Sequence, residues 1–271
     1  MAIDLPGASA ASGASTAGRL PAATLPLGQR AALGLALAAI TALAWLYLIR
    51  MPMTPDDLGG LSARLLSAVP PQWASLWLIF MMWAVMMGAM MTPSATPMIF
   101  AYARIARAQT GAPAIRIALF TGGYLAAWTL FSAAATALQA GLARASIISN
   151  ALVATPLAGA AILLAAGLYQ LTPLKRSCLG RCQSPIGFLM THWRDGATGA
   201  FLMGLAHGLF CIGCCWMLMA LLFVTGVMNL VWVAALTVFV LLERATRYGH
   251  AIARLSGFAL IAAAIVLALR R

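Results

Sequence analysis

Gly199 to Thr225 reads GAFLMGLAHGLFCIGCCWMLMALLFVT, 27 residues without a Lys, Arg, Asp or Glu. A run of that length and polarity exceeds the roughly 20 residues that carry a helix across a bilayer. Working outward, similar runs appear at Ala31–Ile49, Trp73–Met91, Ile117–Leu138, Leu152–Leu171, Met228–Leu242 and Ile252–Leu269. The expectation is an all-α, polytopic membrane helix bundle of about seven transmembrane helices. The Met228–Leu242 run is short for a crossing. Residues 1–29, rich in Ala, Gly, Ser and Pro, read as a disordered N-terminal tail. Residues 30–271 read as a single transmembrane helical domain. The first run is too long for a signal-peptide core and no small-residue cleavage site follows it, so it reads as an uncleaved span.

Composition agrees with the membrane assignment. Hydrophobic residues make up 63% of the chain and charged residues 8%, where a soluble domain carries about 25% charged. The net charge of +12 would point to nucleic acid in a soluble protein. Here the bases lie between apolar runs, where topology and anionic headgroups account for them. No nucleic-acid partner is expected. With seven spans, Arg19, Arg30, Arg104, Arg107, Arg116, Lys175, Arg176, Arg181, Arg194, Arg244, Arg247 and Arg254 share one side, twelve of the seventeen bases. That places the N-terminus in the cytoplasm of a bacterial inner membrane. No phosphate-binding loop, dinucleotide fingerprint or zinc-protease motif is present, which argues against ATP-driven transport by this chain alone.

Chemistry concentrates in the opening segment. At about 100° per residue, Met203, His207, Cys211, Cys214 and Cys215 fall on one face ~120° wide. Thiol, imidazole and thioether are the donors that Cu(I), zinc or an iron–sulfur cluster prefers. Cys211 can share an ion with His207 or with its cysteine neighbours, whereas His207 and Cys215 stand two turns apart, so another element must complete the site. The competing reading is packing, since free Cys behaves as a small apolar residue.

Two further segments carry soft donors. Cys178 and Cys182, in what reads as a loop at 172–198, have a spacing compatible with a metal pair or a redox pair, or are incidental. His192 is a weaker third ligand there, more at home as an interfacial anchor beside Trp193. Six of the fifteen methionines lie between Met81 and Met91. Met82, Met86 and Met90 form a stripe at helical spacing, read either as thioether ligands or as gap-filling core. Pro93 and Pro97 are expected to break or kink that helix. Glu243, beside Arg244 and Arg247, reads as an interfacial ion pair, with a proton-relay role as the alternative. Asn229 reads as a helix cap or turn residue.

The stretch Met86–Pro97 (MMGAMMTPSATP), the segment Pro173–Cys182, His192–Gly196, and Met203 through Asn229 resemble a bacterial family of predicted metal-binding integral membrane proteins, domain of unknown function 2182. The resemblance covers Trp73 to Glu243 and implies a bound metal without implying a reaction. Three functions follow from the residues. The leading one is binding, and transport or delivery, of a soft transition metal, with copper favoured over zinc. Its site residues are His207, Cys211, Cys214, Cys215, Cys178, Cys182, Met82, Met86 and Met90. Its partners are the bilayer, the ion and an unidentified membrane or metallochaperone protein. The second is a membrane thiol–disulfide oxidoreductase using Cys211 and Cys214, although catalysis is not the favoured reading. The third is a structural subunit of a membrane complex.

Overall fold

The computed structural model describes residues 26–50, 72–108, 112–147, 154–227 and 229–269. Among these residues the chain is helical throughout, with no strand. The helices are α1 (Leu27–Arg50), α2 (Gln72–Arg107), α3 (Pro113–Arg144), α4 (Pro156–Leu171), α5 (Pro173–Gln183), α6 (Pro185–His192), α7 (Gly196–Ala220), α8 (Leu230–Ala245) and α9 (Gly249–Leu269). A further turn, Leu222–Thr225, extends α7. Most of the tail expected at 1–29 lies outside the described residues, and its last residues, 27–29, are already helical.

Five helices are long and apolar enough to cross a membrane: α1, α2, α3, α7 with its added turn, and α9. The bent pair α4–α5 makes a sixth if it is one broken span. The expected count of seven therefore becomes five or six by length. The shortfall falls on α8 and, unless it joins α5, on α4, whose 16 residues each reach only about 24 Å at 1.5 Å per residue. Large apolar side chains such as Leu130, Leu168, Val231, Leu255 and Phe258 are exposed on the outside of the bundle. A surface of that kind suits lipid better than water.

Local sequence explains the segmentation. Prolines stand in the first turn of α3, α4, α5 and α6, where their missing N–H costs nothing. The segment expected to be a loop at 172–198 is thus two helices and the start of a third. The Thr172 side chain accepts from the Lys175 N–H and caps α5, at a 65° bend from α4. Asn229 caps α8 by accepting from the Trp232 N–H, as expected. Pro93 and Pro97 do not end α2, which runs through both. The hydroxyls of Thr92, Ser94 and Thr96 fold back onto the carbonyls of Gly88, Met91 and Thr92 along that stretch, supplying polar contacts where the proline rings interrupt the backbone ladder.

The most extensive packing joins α3 to α7. A Cβ on Gly204 would collide with the Phe120 carbonyl, and one on Gly123 with the Phe201 carbonyl. Small residues let the two backbones approach as they do in close membrane-helix pairs. Around this seam α9 packs on α4, α2 on α3, α1 on α2, and α5 on α7. The charged helix α5 is thereby drawn against the apolar α7.

Candidate metal centre

The predicted face of α7 is buried as a unit. Met203, His207, Cys211, Cys214 and Cys215 are all inaccessible or nearly so. The thiols of Cys214 and Cys215 both donate back to the Cys211 carbonyl, at 3.1 and 3.0 Å. The Cys211 sulfur lies 3.0 Å from the Tyr124 hydroxyl, which donates to the Met91 carbonyl at 3.0 Å. With the phenol proton committed to Met91, the Cys211 thiol is the donor to Tyr124.

Two other helices complete the cluster. The bend after α4 sets Cys182 of α5 beside Cys214 of α7. Cys182 is half-buried, whereas the α7 thiols are sealed. Cys178 is buried and presses its sulfur toward Gly213 of α7, whose missing side chain makes the room. From α8, Arg244 donates to the Cys214 and Cys215 sulfurs at 3.1 and 3.4 Å, to the Cys211 carbonyl at 3.1 Å and to the Ser94 hydroxyl at 2.7 Å. Cys214 is therefore the junction of the cluster, the position that spacing alone assigns to Cys211.

His207 stands at the edge of this group. Its ring stacks on Tyr124 with centroids 5.5 Å apart and meets Phe188 edge-on at 5.4 Å. Its buried Nδ1 has no hydrogen-bond partner among the described residues. Met203 is engaged elsewhere, its sulfur accepting from the Arg194 N–H at 3.3 Å. Met82, Met86 and Met90 are buried in the core. Their helix, α2, is linked toward the thiols by hydrogen bonds at the Met91 carbonyl and the Ser94 hydroxyl, while α3 is the main neighbour of α7. Met82 is nine residues before Met91, about 13 Å along the axis.

Beneath the cluster lies a buried ion pair. Lys175 donates to both Glu243 oxygens at 2.8 and 3.0 Å. Gln170 donates to the same carboxylate at 3.2 Å and to Ser256 at 2.9 Å. The interfacial pair expected between Glu243 and its neighbours Arg244 and Arg247 is not what forms. Arg244 turns to the thiols, Arg247 bonds Tyr248, and Lys175 comes from a segment read as loop. Tyr169 of α4 adds a hydroxyl bond to the Gly213 carbonyl.

Sequence reasoning missed Tyr124, Arg244 and Lys175 as site residues. Two of them carried a signal in their type, since Tyr124 and Arg244 are a phenol and a cation on the apolar helices α3 and α8 and each needs a partner there, whereas Lys175 sits on the charged α5. Among the described residues, no three or more His, Cys, Asp or Glu side chains are arranged to hold a metal ion. Two of the thiols are turned onto a backbone carbonyl instead. The donor set itself, four neighbouring thiols with an imidazole nearby, fits a soft ion and fits a hard one poorly.

Against known proteins, the model of the PpoB2 family, described as copper chaperone, matches residues 80–267. The match covers more than half of the chain, and the chain belongs to that family. No curated protein and no solved structure matches it.

Proposed function

We propose that this member of a copper chaperone family holds Cu(I) within the membrane on the thiols of Cys182, Cys211, Cys214 and Cys215 and passes it on. The observation that carries the reading is the convergence of α5, α7 and α8 on those four sulfurs inside an apolar bundle. Copper is the ion because the family is described as copper chaperone, and thiols are among the donors that Cu(I) prefers. Cys182 is the entry and exit thiol, since its residue is the least buried of the four. Cys178 and His207 are reserve donors at the rim, and His207 has a free ring nitrogen to offer. Met82, Met86 and Met90 are a more distant thioether path along α2.

The same reading places the protein in a bacterial inner membrane with its N-terminus in the cytoplasm. Arg104, Arg107 and Arg116 flank the α2–α3 connection, two spans on from the N-terminus and so on its side of the membrane, and clustered bases at span ends favour the cytoplasmic side. A route without an energy source suits a carrier that exchanges its ion with a partner protein. The oxidoreductase reading keeps one supporting observation, the placement of Cys182 beside Cys214, the pair across two helices that a disulfide would join.

Metal analysis of the reduced, full-length protein in detergent after exposure to Cu(I) separates these readings. Copper near one equivalent is expected. Metal-free protein with a reversible Cys182–Cys214 disulfide would establish the oxidoreductase, and neither result would leave a structural subunit. Labelling of intact cells with a membrane-impermeant thiol reagent should spare Cys182, and strong labelling from outside would reverse the orientation.

A further inference from the structure

Away from the thiols, α1 packs on α2 and α2 on α3. Where α1 stands off from α3, a cleft of about 490 Å³ is left between the three helices, a size ordinary for a small-molecule site. Small residues such as Ala36, Ala118 and Gly122 leave it unfilled, and Leu33 and Leu125 make its walls apolar. On α3 it runs from Ala114 to Leu125, about 17 Å at 1.5 Å per residue. That is close to half of the roughly 30 Å hydrocarbon core, the depth of one leaflet. Gln29 and Arg107 stand at the end nearest the helix termini. The Arg107 Nε is buried and has no hydrogen-bond partner among the described residues. Arg30 and Arg104, both exposed, flank that end on α1 and α2. Of the two acids among the described residues, Glu243 is bonded to Lys175 and Asp195 accepts from Trp193, and neither lines the cleft.

We propose that this cleft binds an anionic phospholipid, with the phosphate on Arg107 and one acyl chain laid between α1 and α3. The inference is independent of the copper reading, since none of the soft donors lines the cleft. A guanidinium presents paired N–H donors that fit two phosphate oxygens. A buried donor without an acceptor is costly, so the orphan Nε calls for such an oxygen. A free phosphate ion would satisfy it but leave the apolar length of the cleft empty, whereas a lipid supplies both parts in one molecule. The basic end selects the anionic class, because a zwitterionic headgroup brings its own cation toward Arg30, Arg104 and Arg107. Exposed arginines at a span end need no bound partner, which separates Arg107 from Arg104.

Native mass spectrometry of the full-length protein in detergent tests this, by titration with phosphatidylglycerol, with phosphatidylcholine of the same chains, or with inorganic phosphate. One phosphatidylglycerol per chain is expected, held about tenfold or more tighter than phosphatidylcholine, with no inorganic phosphate retained. Arg107→Gln should weaken phosphatidylglycerol by about 30-fold or more, and Arg104→Gln by no more than about fivefold. Gly122→Leu, whose side chain enters open space, should weaken both lipids while Arg107 stays in place. Equal losses in Arg104→Gln and Arg107→Gln would mean a diffuse basic surface and overturn the site. Parent-like binding in either Arg107→Gln or Gly122→Leu would overturn it too. Retention of inorganic phosphate without lipid would make Arg107 a free-anion site, and a parent that holds neither lipid ends the proposal. Arg107 is only half-buried and a Cβ at Gly122 meets nothing within 4 Å, so both variants should fold, which size exclusion checks, and either one decides.

Discussion

The methionine stretch of α2 and the cysteine face of α7 are equally hidden, yet they are different kinds of interior. Met82, Met86 and Met90 on one side, and Cys211, Cys214 and Cys215 on the other, are all no more than 2% exposed. Around Met82 and Met86 the polar contact is the bond from Trp83 to Gln139, and beside Met90 it is hydroxyls onto the Gly88 and Met91 carbonyls. Around the cysteines a phenol, a guanidinium and an ion pair have been drawn inward. Burial alone therefore does not mark a site. The polar groups that follow the soft donors into the bundle do, because each would be costly there without a partner.

Three substitutions press on that contrast. Lys175→Met should have the largest effect, because it strands the Glu243 carboxylate. A cost of about 3–5 kcal/mol is expected, and the Lys175→Met/Glu243→Met double variant should recover most of it. Thermal unfolding in detergent reads both. Equal melting temperatures for the parent and Lys175→Met would mean that the polar interior beneath the thiols is not structural. Next, Cys214→Ser should weaken Cu(I) binding at least about tenfold, which is about 1.4 kcal/mol, because Cys214 accepts from Arg244 and stands beside Cys182. Chelator competition measures it, and parent-like affinity would move the site elsewhere. The smallest effect is expected for Met90→Leu, with copper binding unchanged and stability lowered by less than about 1.5 kcal/mol. A loss of copper as large as that of Cys214→Ser would erase the distinction between the two interiors.

How far the sequence discloses this arrangement depends on range. The uniform apolar runs give the all-helical class, and the 3.6-residue period gives the buried cysteine face, because both signals are local. The helices α5 and α6 read as loop because Lys175, Arg176 and Arg181 break the hydropathy. Pro173 and Pro185, each with a Thr or Ser before it, were the start signals that outweigh it. Lys175 also misleads the charge count, since a lysine paired inside the bundle says little about which side of the membrane its segment faces. The partnerships Arg244–Cys214, Tyr124–Cys211 and Lys175–Glu243 join residues far apart in the chain. No single-sequence pattern encodes them, because each depends on how the helices pack.

The bend between α4 and α5 has a thermodynamic corollary. Since Cys182 and Cys214 belong to different helices, a cargo shared by them ties a ring of about 30 residues, as a covalent staple would, and restrains the unfolded chain accordingly. An ion that binds only the assembled pair adds RT ln(1 + [L]/Kd) to its stability, ~4 kcal/mol at a thousandfold excess over Kd. Linkage runs in both directions. Whatever peels α5 away from α7, such as a docking protein that grips the exposed Arg181 edge, discharges the ion in the same act. Retention of the cargo and cohesion of one short helix are then a single quantity.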